Sequence, residues 1–191
     1  MGDLLRSAAV LAGGEGRRMG YDKALLAADG GQSSLKLLTD SLSVYFPDVF
    51  IVRRRGLYED SRLPRGVRVV YDEIGESGPM TGLASALANC AGGYVFVCAC
   101  DAAPVLPVYI GLVERRAGAG GFDAVLPRIG GFIQPFWSLY GARLLPCARA
   151  AALSGRQSIF RFIENRNTHI IEEADIADAG VPASMFSNRN A

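Results

Sequence analysis

The chain has 191 residues, 50% of them hydrophobic, and its charges nearly cancel to a formal net charge of +1. Such a chain can bury a core of ordinary size, so we expect a single domain over residues 1–191 and not a disordered chain. The near-neutral charge argues against nucleic acid or an anionic membrane as a partner, so any anionic ligand has to be held by a local site.

The first half of the chain alternates short apolar runs with an amphipathic one. Residues 7–14 predict a strand, and apolar side chains at helical spacing predict a helix over 34–46. Two β-branched runs, at 48–54 and 67–72, predict the next strands, and residues 81–90 predict a second helix.

The most apolar strand of the chain follows at 94–101, and its unbroken run predicts a central position covered on both faces. Two later strands are expected at 122–127 and 135–141, with outer helices at 142–155 and 157–165. This order predicts an α/β fold, a three-layer α/β/α sandwich around a mostly parallel, mixed sheet. Ligands of such sheets bind at the carboxyl ends of the strands.

The cysteines and the hydropathy of the chain indicate the cellular compartment of the protein. The cysteines are Cys90, Cys98, Cys100 and Cys147, and they lie in apolar surroundings without the paired C-x-x-C spacing of zinc sites. We interpret them as buried, reduced thiols. No apolar run reaches the roughly 18 residues that a membrane-spanning helix needs, and no secretory signal is evident. These features predict a cytoplasmic protein.

A glycine-rich loop follows the first predicted strand. Backbone amides at Gly13, Gly14 and Gly16 can approach phosphate oxygens closely, because glycine has no side chain in the way. Basic residues come directly behind them, at Arg17, Arg18 and Lys23. Together these groups can hold a triphosphate. A tight turn with solvated charges is the alternative interpretation.

Two common explanations of such a loop fail on spacing. A P-loop needs a Ser or Thr after its lysine, whereas Lys23 is followed by Ala24. A Rossmann fingerprint needs a third glycine at the position of Met19. The loop therefore indicates a nucleotide site of another kind.

Asp101 stands where the most apolar strand stops, at the edge that should face the glycine loop. A carboxylate there is a natural ligand for Mg²⁺, which proteins commonly hold with one or two carboxylates plus substrate phosphates. The alternatives are an N-cap for a helix beginning near Pro107, or a turn aspartate.

A third element lies between these two. Asp72 ends another strand, and the turn 78–82 opens a helix. Asp72 and this turn could both face a base and ribose, and the alternative is an ordinary strand-loop-helix connection.

With these three elements, the sequence resembles the molybdenum cofactor guanylyltransferases, which share a nucleotidyltransferase fold with sugar-nucleotide pyrophosphorylases. The family's LAGG-x-x-x-RMG-x-DK pattern is matched without a gap over residues 11–23. Its G-P-L-x-G-L stands here as GPMTGL, and its strand ending C-x-C-D as CACD. The resemblance implies a Rossmann-like nucleotide-diphospho-sugar transferase fold and a Mg²⁺-dependent enzyme whose substrates are GTP and molybdopterin.

The resemblance also implies roles for individual residues. The residues expected to bind the nucleotide are Leu11, Ala12, Gly13, Gly14, Lys23, Asp72, Gly82 and Asp101. Those expected to take part in catalysis are Arg18, Lys23 and Asp101, with Asp101 also holding Mg²⁺. Transient contact with molybdoenzymes or cofactor-insertion proteins is a further implication.

The sequence departs from the family pattern at three places. Ala103 stands where the family usually has a proline after the metal aspartate. Val52 or Arg53 lies near the position of an asparagine that many relatives carry. The chain stops at FSNRNA, which resembles the start of the family's F-x-N-x-N-T-P-E motif, so the carboxyl end looks clipped or divergent.

The implied reaction is attack of the molybdopterin phosphate on the α-phosphorus of GTP, which needs no general base because the phosphate is already ionised. The sole histidine, His169, accordingly reads as a surface or strand residue. The run 53–55 and Arg156 are possible contacts for the acceptor phosphate, although a solvated charged face is the preferred interpretation of the run. The alternatives are a cytidylyltransferase for the same cofactor, a nucleotidyltransferase for another phosphorylated acceptor, and a non-catalytic nucleotide-binding module.

Overall fold

The computed structural model describes residues 4–12, 33–54, 64, 66–72 and 78–186. The strands are β1 (Leu5–Leu11), β2 (Asp48–Arg53), β3 (Arg68–Tyr71), β4 (Tyr94–Ala99), β5 (Ala124–Ile129), β6 (Phe132–Ile133), β7 (Ser138–Gly141) and β8 (Thr168–Ile171). The helices are α1 (Ser34–Ser43), α2 (Pro79–Ala88), α3 (Pro107–Gly120), α4 (Leu145–Leu153), α5 (Ile159–Ile163) and α6 (Glu173–Asp178). Short 3₁₀ turns cover Ala142–Leu144 and Ala183–Phe186.

The helix ends have local causes in the sequence. The side chain of Ser33 caps α1 by accepting a hydrogen bond from the amide of Lys36 at 3.2 Å. Helix α3 begins at Pro107, whose fixed φ suits the first helical position. It ends before Gly121, which adopts a left-handed φ of 58° that glycine reaches without steric cost.

The strands form one mixed sheet in the order β3-β2-β1-β4-β7-β5-β6, with β8 also pairing β5. Strands β3, β2, β1 and β4 run parallel to one another, whereas β7 lies antiparallel between β4 and β5. Strand β8 is parallel to β5. All strands except β6 and β7 therefore point their carboxyl ends to one edge, which we call the carboxyl edge.

Both faces of the sheet carry helices, which makes three layers. One apolar cluster packs α1, α3 and α6 against alternate residues of the sheet, including Val10 and Phe96. The other packs α2, α4 and α5 against the intervening residues, including Ala9 and Val97. Within the described part of the chain, no helix combines the length and the apolarity needed to cross a membrane.

The predicted three-layer fold and its mostly parallel sheet are confirmed, and β4 is central as expected. Sequence periodicity did not show the two-residue β6, the strand β8 or the helix α6. It also gave no sign that β7 runs antiparallel. The prediction of buried thiols is wrong for Cys147, which is exposed, and holds fully for Cys98 alone, since Cys90 and Cys100 are half-buried.

Candidate active site

The carboxyl edge brings the end of β1 beside the end of β4. Leu11 pairs with Ala99 in the parallel register, and the amide of Cys100 donates to the carbonyl oxygen of Leu11 at 3.2 Å. Asp101 is the next residue after Cys100. The amide of Ala12 donates to Val52 on the other side at 2.8 Å. The sequence-predicted residues Leu11, Ala12 and Asp101 thus meet at one edge of the sheet.

The rest of the predicted loop lies outside the described residues. This applies to Gly13, Gly14, Arg18 and Lys23, whose roles stay predictions. What the structure does fix is the point where that loop leaves the sheet: Ala12 is buried at 5% exposure and held by its bond to β2. The loop therefore starts within one strand spacing of Asp101.

Asp101 lies in a turn and is half-buried. It does not cap α3, because the residue before that helix is Leu106 and no side chain caps its first turn. Within the described residues its carboxylate has no hydrogen-bond or ion-pair partner, so it is available to a ligand. No group of three or more potential metal-binding side chains exists among the residues described. A lone carboxylate suits Mg²⁺, which completes its shell with phosphate oxygens and water.

Gly82 positions α2 against the end of β1. A Cβ added at Gly82 would lie 3.2 Å from Cδ1 of Leu11, closer than ordinary van der Waals contact. The glycine lets the helix approach Leu11, whose backbone borders the predicted nucleotide site. Gly82 is itself buried. Its role in the structure is to pack against Leu11, a residue predicted to bind the nucleotide.

Asp72 links the end of β3 to α2. Its amide donates to the carbonyl oxygen of Arg53 at 2.8 Å, which continues the pairing of β2 with β3. Its carboxylate accepts a hydrogen bond from the hydroxyl of Ser85 at 2.9 Å. Asp72 therefore stands at the carboxyl edge, two strands away from β1, and is oriented by a helix that also contacts Leu11.

The arginine run 53–55 is not a solvated charged face throughout. Arg53 is only 2% exposed, and its guanidinium lies 5.9 Å from the ring centroid of Tyr71. The preferred interpretation of a solvated run is therefore wrong for Arg53, because its side chain packs under the end of β3. Arg54 is exposed, and Arg55 lies outside the described residues.

Arg156, the other candidate for the acceptor phosphate, is exposed and donates to the hydroxyl of Ser154 at 2.9 Å. It precedes Gln157, whose side chain lies against Gly78 and within 3.4 Å of the Thr81 hydroxyl. The loop that joins α4 to α5 thus contacts the start of α2.

His169 is a residue of β8, as the sequence indicated, and its ring packs against Phe122 with centroids 5.0 Å apart.

Sequence reasoning missed the segment that leads into β7. Because β7 is antiparallel to β4, this segment, residues 134–137, lies at the carboxyl edge next to the end of β4. Hydroxyl groups fix its carbonyls: Ser138 bonds those of Gln134 and Phe136, and Tyr140 bonds that of Pro135. Only the Gly-Gly pair before Phe132 gave a hint, since it is a typical hairpin turn.

The strand order, the helices on both faces and a carboxylate beside the predicted phosphate loop define the class of protein as an α/β nucleotide-binding enzyme fold of the nucleotidyltransferase type. The family described as the MobA-like NTP transferase domain matches residues 8–170. The chain belongs to this family and is a nucleotidyltransferase.

Named relatives agree with the family. The chain is 30% identical over 185 residues to the molybdenum cofactor guanylyltransferase of Syntrophotalea carbinolica, covering 96% of this chain and 86% of the relative. It is 32% identical over 175 residues to a probable molybdenum cofactor guanylyltransferase of Methanothermobacter thermautotrophicus, covering 86% and 85%.

Solved structures show the same fold. Molybdopterin-guanine dinucleotide biosynthesis protein A of Archaeoglobus fulgidus superposes with a TM-score of 0.76 at 21% identity over 94% of each chain. A 2-C-methyl-D-erythritol 4-phosphate cytidylyltransferase of Thermus thermophilus gives a TM-score of 0.65 at 17% identity, covering 92% of this chain and 97% of its own. At these identities the likeness concerns the fold alone.

Proposed function

We propose that the protein transfers GMP from GTP to the phosphate of molybdopterin, forming the guanine dinucleotide of the cofactor and releasing pyrophosphate. Family membership supports nucleotidyl transfer, and the names of the relatives support this donor and acceptor. The observation that carries the proposal is the hydrogen bond from the amide of Cys100 to the carbonyl of Leu11. It sets the free carboxylate of Asp101 beside the start of the glycine loop.

The reaction forms a bond between a molybdopterin phosphate oxygen and the α-phosphorus of GTP, and it breaks the bond from the α-phosphorus to the bridging oxygen of pyrophosphate. The attacking phosphate is already ionised near pH 7, so no side chain has to remove a proton. The barrier is dominated by bringing two anions together, and positioning and charge neutralisation lower it.

In this proposal, a few residues neutralise the negative charge of the phosphates. Asp101 would hold Mg²⁺, which when bound neutralises phosphate charge at the reacting centre. Arg18 and Lys23 would hold the phosphates. The backbone of residues 11–14 would contact the guanine nucleotide, with Asp72 beside it, and Gly82 would act by allowing Leu11 its position.

The metal assignment is tested by Asp101→Ala. We expect loss of Mg²⁺-dependent GMP transfer with an unchanged circular dichroism spectrum, because the carboxylate is half-buried and supports no other described group. Asp178→Ala is the matched control, since Asp178 is an exposed aspartate at the end of α6. Full activity of the Asp101 variant would refute the assignment.

The phosphate role of the loop is tested by Lys23→Ala, with Lys36→Ala on the exposed surface of α1 as its control. We expect weaker GTP binding in calorimetry for the first variant and wild-type binding for the second. Equal affinity of Lys23→Ala and wild type would contradict a triphosphate site in this loop.

The choice of base is tested by thermal stabilisation with GTP, CTP and ATP, each with and without Mg²⁺. A ligand that binds only the folded state raises its stability. We expect the largest rise in Tm with GTP and Mg²⁺. A larger rise with CTP would favour a cytidylyltransferase, and no rise with any nucleotide would favour a degenerate module that has lost the nucleotide site. The cytoplasm stays the expected compartment of the protein. Transient contact with molybdoenzymes or cofactor-insertion proteins stays an expected partnership.

A further inference from the structure

The hairpin formed by β5 and β6 stands at the carboxyl edge with a fixed tip. Ile129 pairs with Phe132 across the two-residue turn of Gly130 and Gly131, whose φ angles of 58° and 78° are the left-handed values of a type I′ turn. Such a turn matches the natural twist of the two strands, so the hairpin geometry is set locally.

Acidic side chains from the start of α6 secure this tip. The carboxylate of Glu173 accepts a hydrogen bond from the amide of Gly130. The guanidinium of Arg128 donates to Glu172 at 2.9 Å and to the carbonyl of Gly131 at 3.4 Å. These bonds tie the hairpin to the residues that follow β8, and they fix the backbone of the turn next to Phe132.

Hydrogen bonding shows which side of β5 the strand β6 occupies. The amide of Gly141, in β7, donates to the carbonyl of Asp123, and the amide of Gln134, just after β6, donates to that of Pro127. Carbonyl groups an even number of residues apart in a strand point to the same side. Strand β6 therefore lies on the side of β5 that β7 occupies, towards β4 and Asp101.

Phe132 is exposed beside this turn. Its side chain is 75% exposed, so its ring adds almost nothing to the core. Among the described residues the only other aromatic ring of comparable exposure is that of Phe160, at 48%, and it lies on α5. An aromatic ring presented on a secured turn is suited to stack on a flat ligand.

We infer that Phe132 stacks on the pterin ring of the acceptor and is a specificity-determining residue. The inference rests on the proposed function, which supplies a flat heteroaromatic acceptor with a phosphate at its other end. In the proposed reaction, the acceptor phosphate has to reach GTP near Asp101, just after the end of β4. Strand β5 lies two strand spacings from β4, about 10 Å. When the acceptor lies along the carboxyl edge with its phosphate near Asp101, its pterin ring therefore lies near the hairpin of β5 and β6.

The test compares Phe132→Ala, Phe132→Tyr and the control Phe160→Ala in GMP transfer. Stacking of a heteroaromatic base on an aromatic side chain is commonly worth enough to change affinity by about tenfold. We expect KM for molybdopterin to rise about tenfold in Phe132→Ala, while KM for GTP and the circular dichroism spectrum stay as in wild type. Phe132→Tyr should restore the wild-type KM, and Phe160→Ala should not change it.

Equilibrium binding of molybdopterin without GTP separates this inference from the proposed function. Wild-type protein that binds molybdopterin but transfers no GMP would refute the function, and the tenfold loss of binding in Phe132→Ala would still support the stacking. Active wild-type protein with an unchanged KM in Phe132→Ala would overturn the stacking alone. Wild-type protein that binds no molybdopterin would overturn both. A sedimentation coefficient that falls in Phe132→Ala, with KM unchanged, would assign the ring to contact between two copies of the chain and so also overturn the inference.

Discussion

The hydroxyl of Tyr109, in α3, donates a 2.6 Å hydrogen bond to the carbonyl oxygen of Trp137, immediately before β7. Trp137 has a φ of 56°, the one positive value outside glycine among the described residues. Phe186 packs edge-on against both rings, with centroids 5.2 Å and 5.6 Å away. A side chain at positive φ is disfavoured on its own, so these contacts are what hold the backbone of Trp137 in place.

The first prediction concerns that bond. Tyr109→Phe leaves the buried carbonyl of Trp137 without its donor, at an expected cost of about 1–2 kcal/mol in the free energy of unfolding. For a protein of this size that corresponds to a fall in Tm of roughly 3–6 °C. Tyr45→Phe is the control, because Tyr45 is half-buried and its hydroxyl has no hydrogen bond in the described structure. Equal Tm values for the two variants would contradict the role of the Tyr109 hydroxyl.

The second prediction concerns the contact between α2 and β1. Gly82→Ala places a methyl group 3.2 Å from Cδ1 of Leu11, so the leucine has to shift by a few tenths of an ångström. We expect KM for GTP to rise several-fold with little change in Tm, because the better helix propensity of alanine, about 1 kcal/mol, offsets the crowding. Gly118→Ala in α3 meets nothing within 4 Å and should raise Tm without changing KM. An unchanged KM in the first variant would show that Leu11 does not bear on the nucleotide.

The third prediction concerns pH. Burial alone would raise the pKa of Asp123, but hydrogen bonds from the Arg143 guanidinium at 2.7 Å and the Asn167 amide at 3.0 Å outweigh it and lower the pKa. A carboxyl whose pKa is lower folded than unfolded stabilises the fold above the unfolded value, about 3.9, and loses this contribution as pH falls through the folded value.

Asp123→Asn should therefore be less stable than wild type by about 1 kcal/mol at pH 7, and the difference should shrink below pH 4. Urea denaturation at pH 7 and at pH 3 measures both values. Asp178→Asn serves as the exposed control and should follow wild type at each pH. A difference that stays constant with pH would mean that the Asp123 charge is not what stabilises this corner of the sheet.

The fourth prediction contrasts two neighbouring arginines. Arg53→Ala removes a long side chain that is 2% exposed, and we expect it to lower the free energy of unfolding by about 2–4 kcal/mol through lost packing. Arg54→Ala removes an exposed side chain and should change it by less than about 0.5 kcal/mol. Thermal denaturation of both variants checks the contrast, and equal losses would contradict the burial of Arg53.

Periodicity predicted β1 to β4 and the helices between them, because β1, β2 and β4 are buried on both faces and are continuous apolar runs. The edge strand β3 is only half-buried, and its β-branched residues indicated it. It could not show the direction of β7, since strand direction depends on which neighbours a strand pairs with and leaves no trace in its own residues. The meeting of Leu11, Ala12 and Asp101 at one edge of the sheet was predictable, because they lie at the ends of apolar strands. Their roles, which the family resemblance implies, stay predictions. Around residues 134–137, the hydroxyl bond from Tyr109 to Trp137 joins parts of the chain 28 residues apart, which no local pattern signals. The bonds from Ser138 and Tyr140 are local, but they fix an irregular segment that has no apolar periodicity.

The antiparallel course of β7 divides the carboxyl edge between two stretches of chain. The ends of β1 to β4 come from the first 101 residues, whereas the hairpin of β5 and β6 and the approach to β7 come from residues 124–141 alone. With Phe132 in contact with the acceptor, as inferred above, an exchange of the hairpin residues 128–133 for those of a relative would change the surface offered to the acceptor and leave the pairing of β1 to β4 as it is.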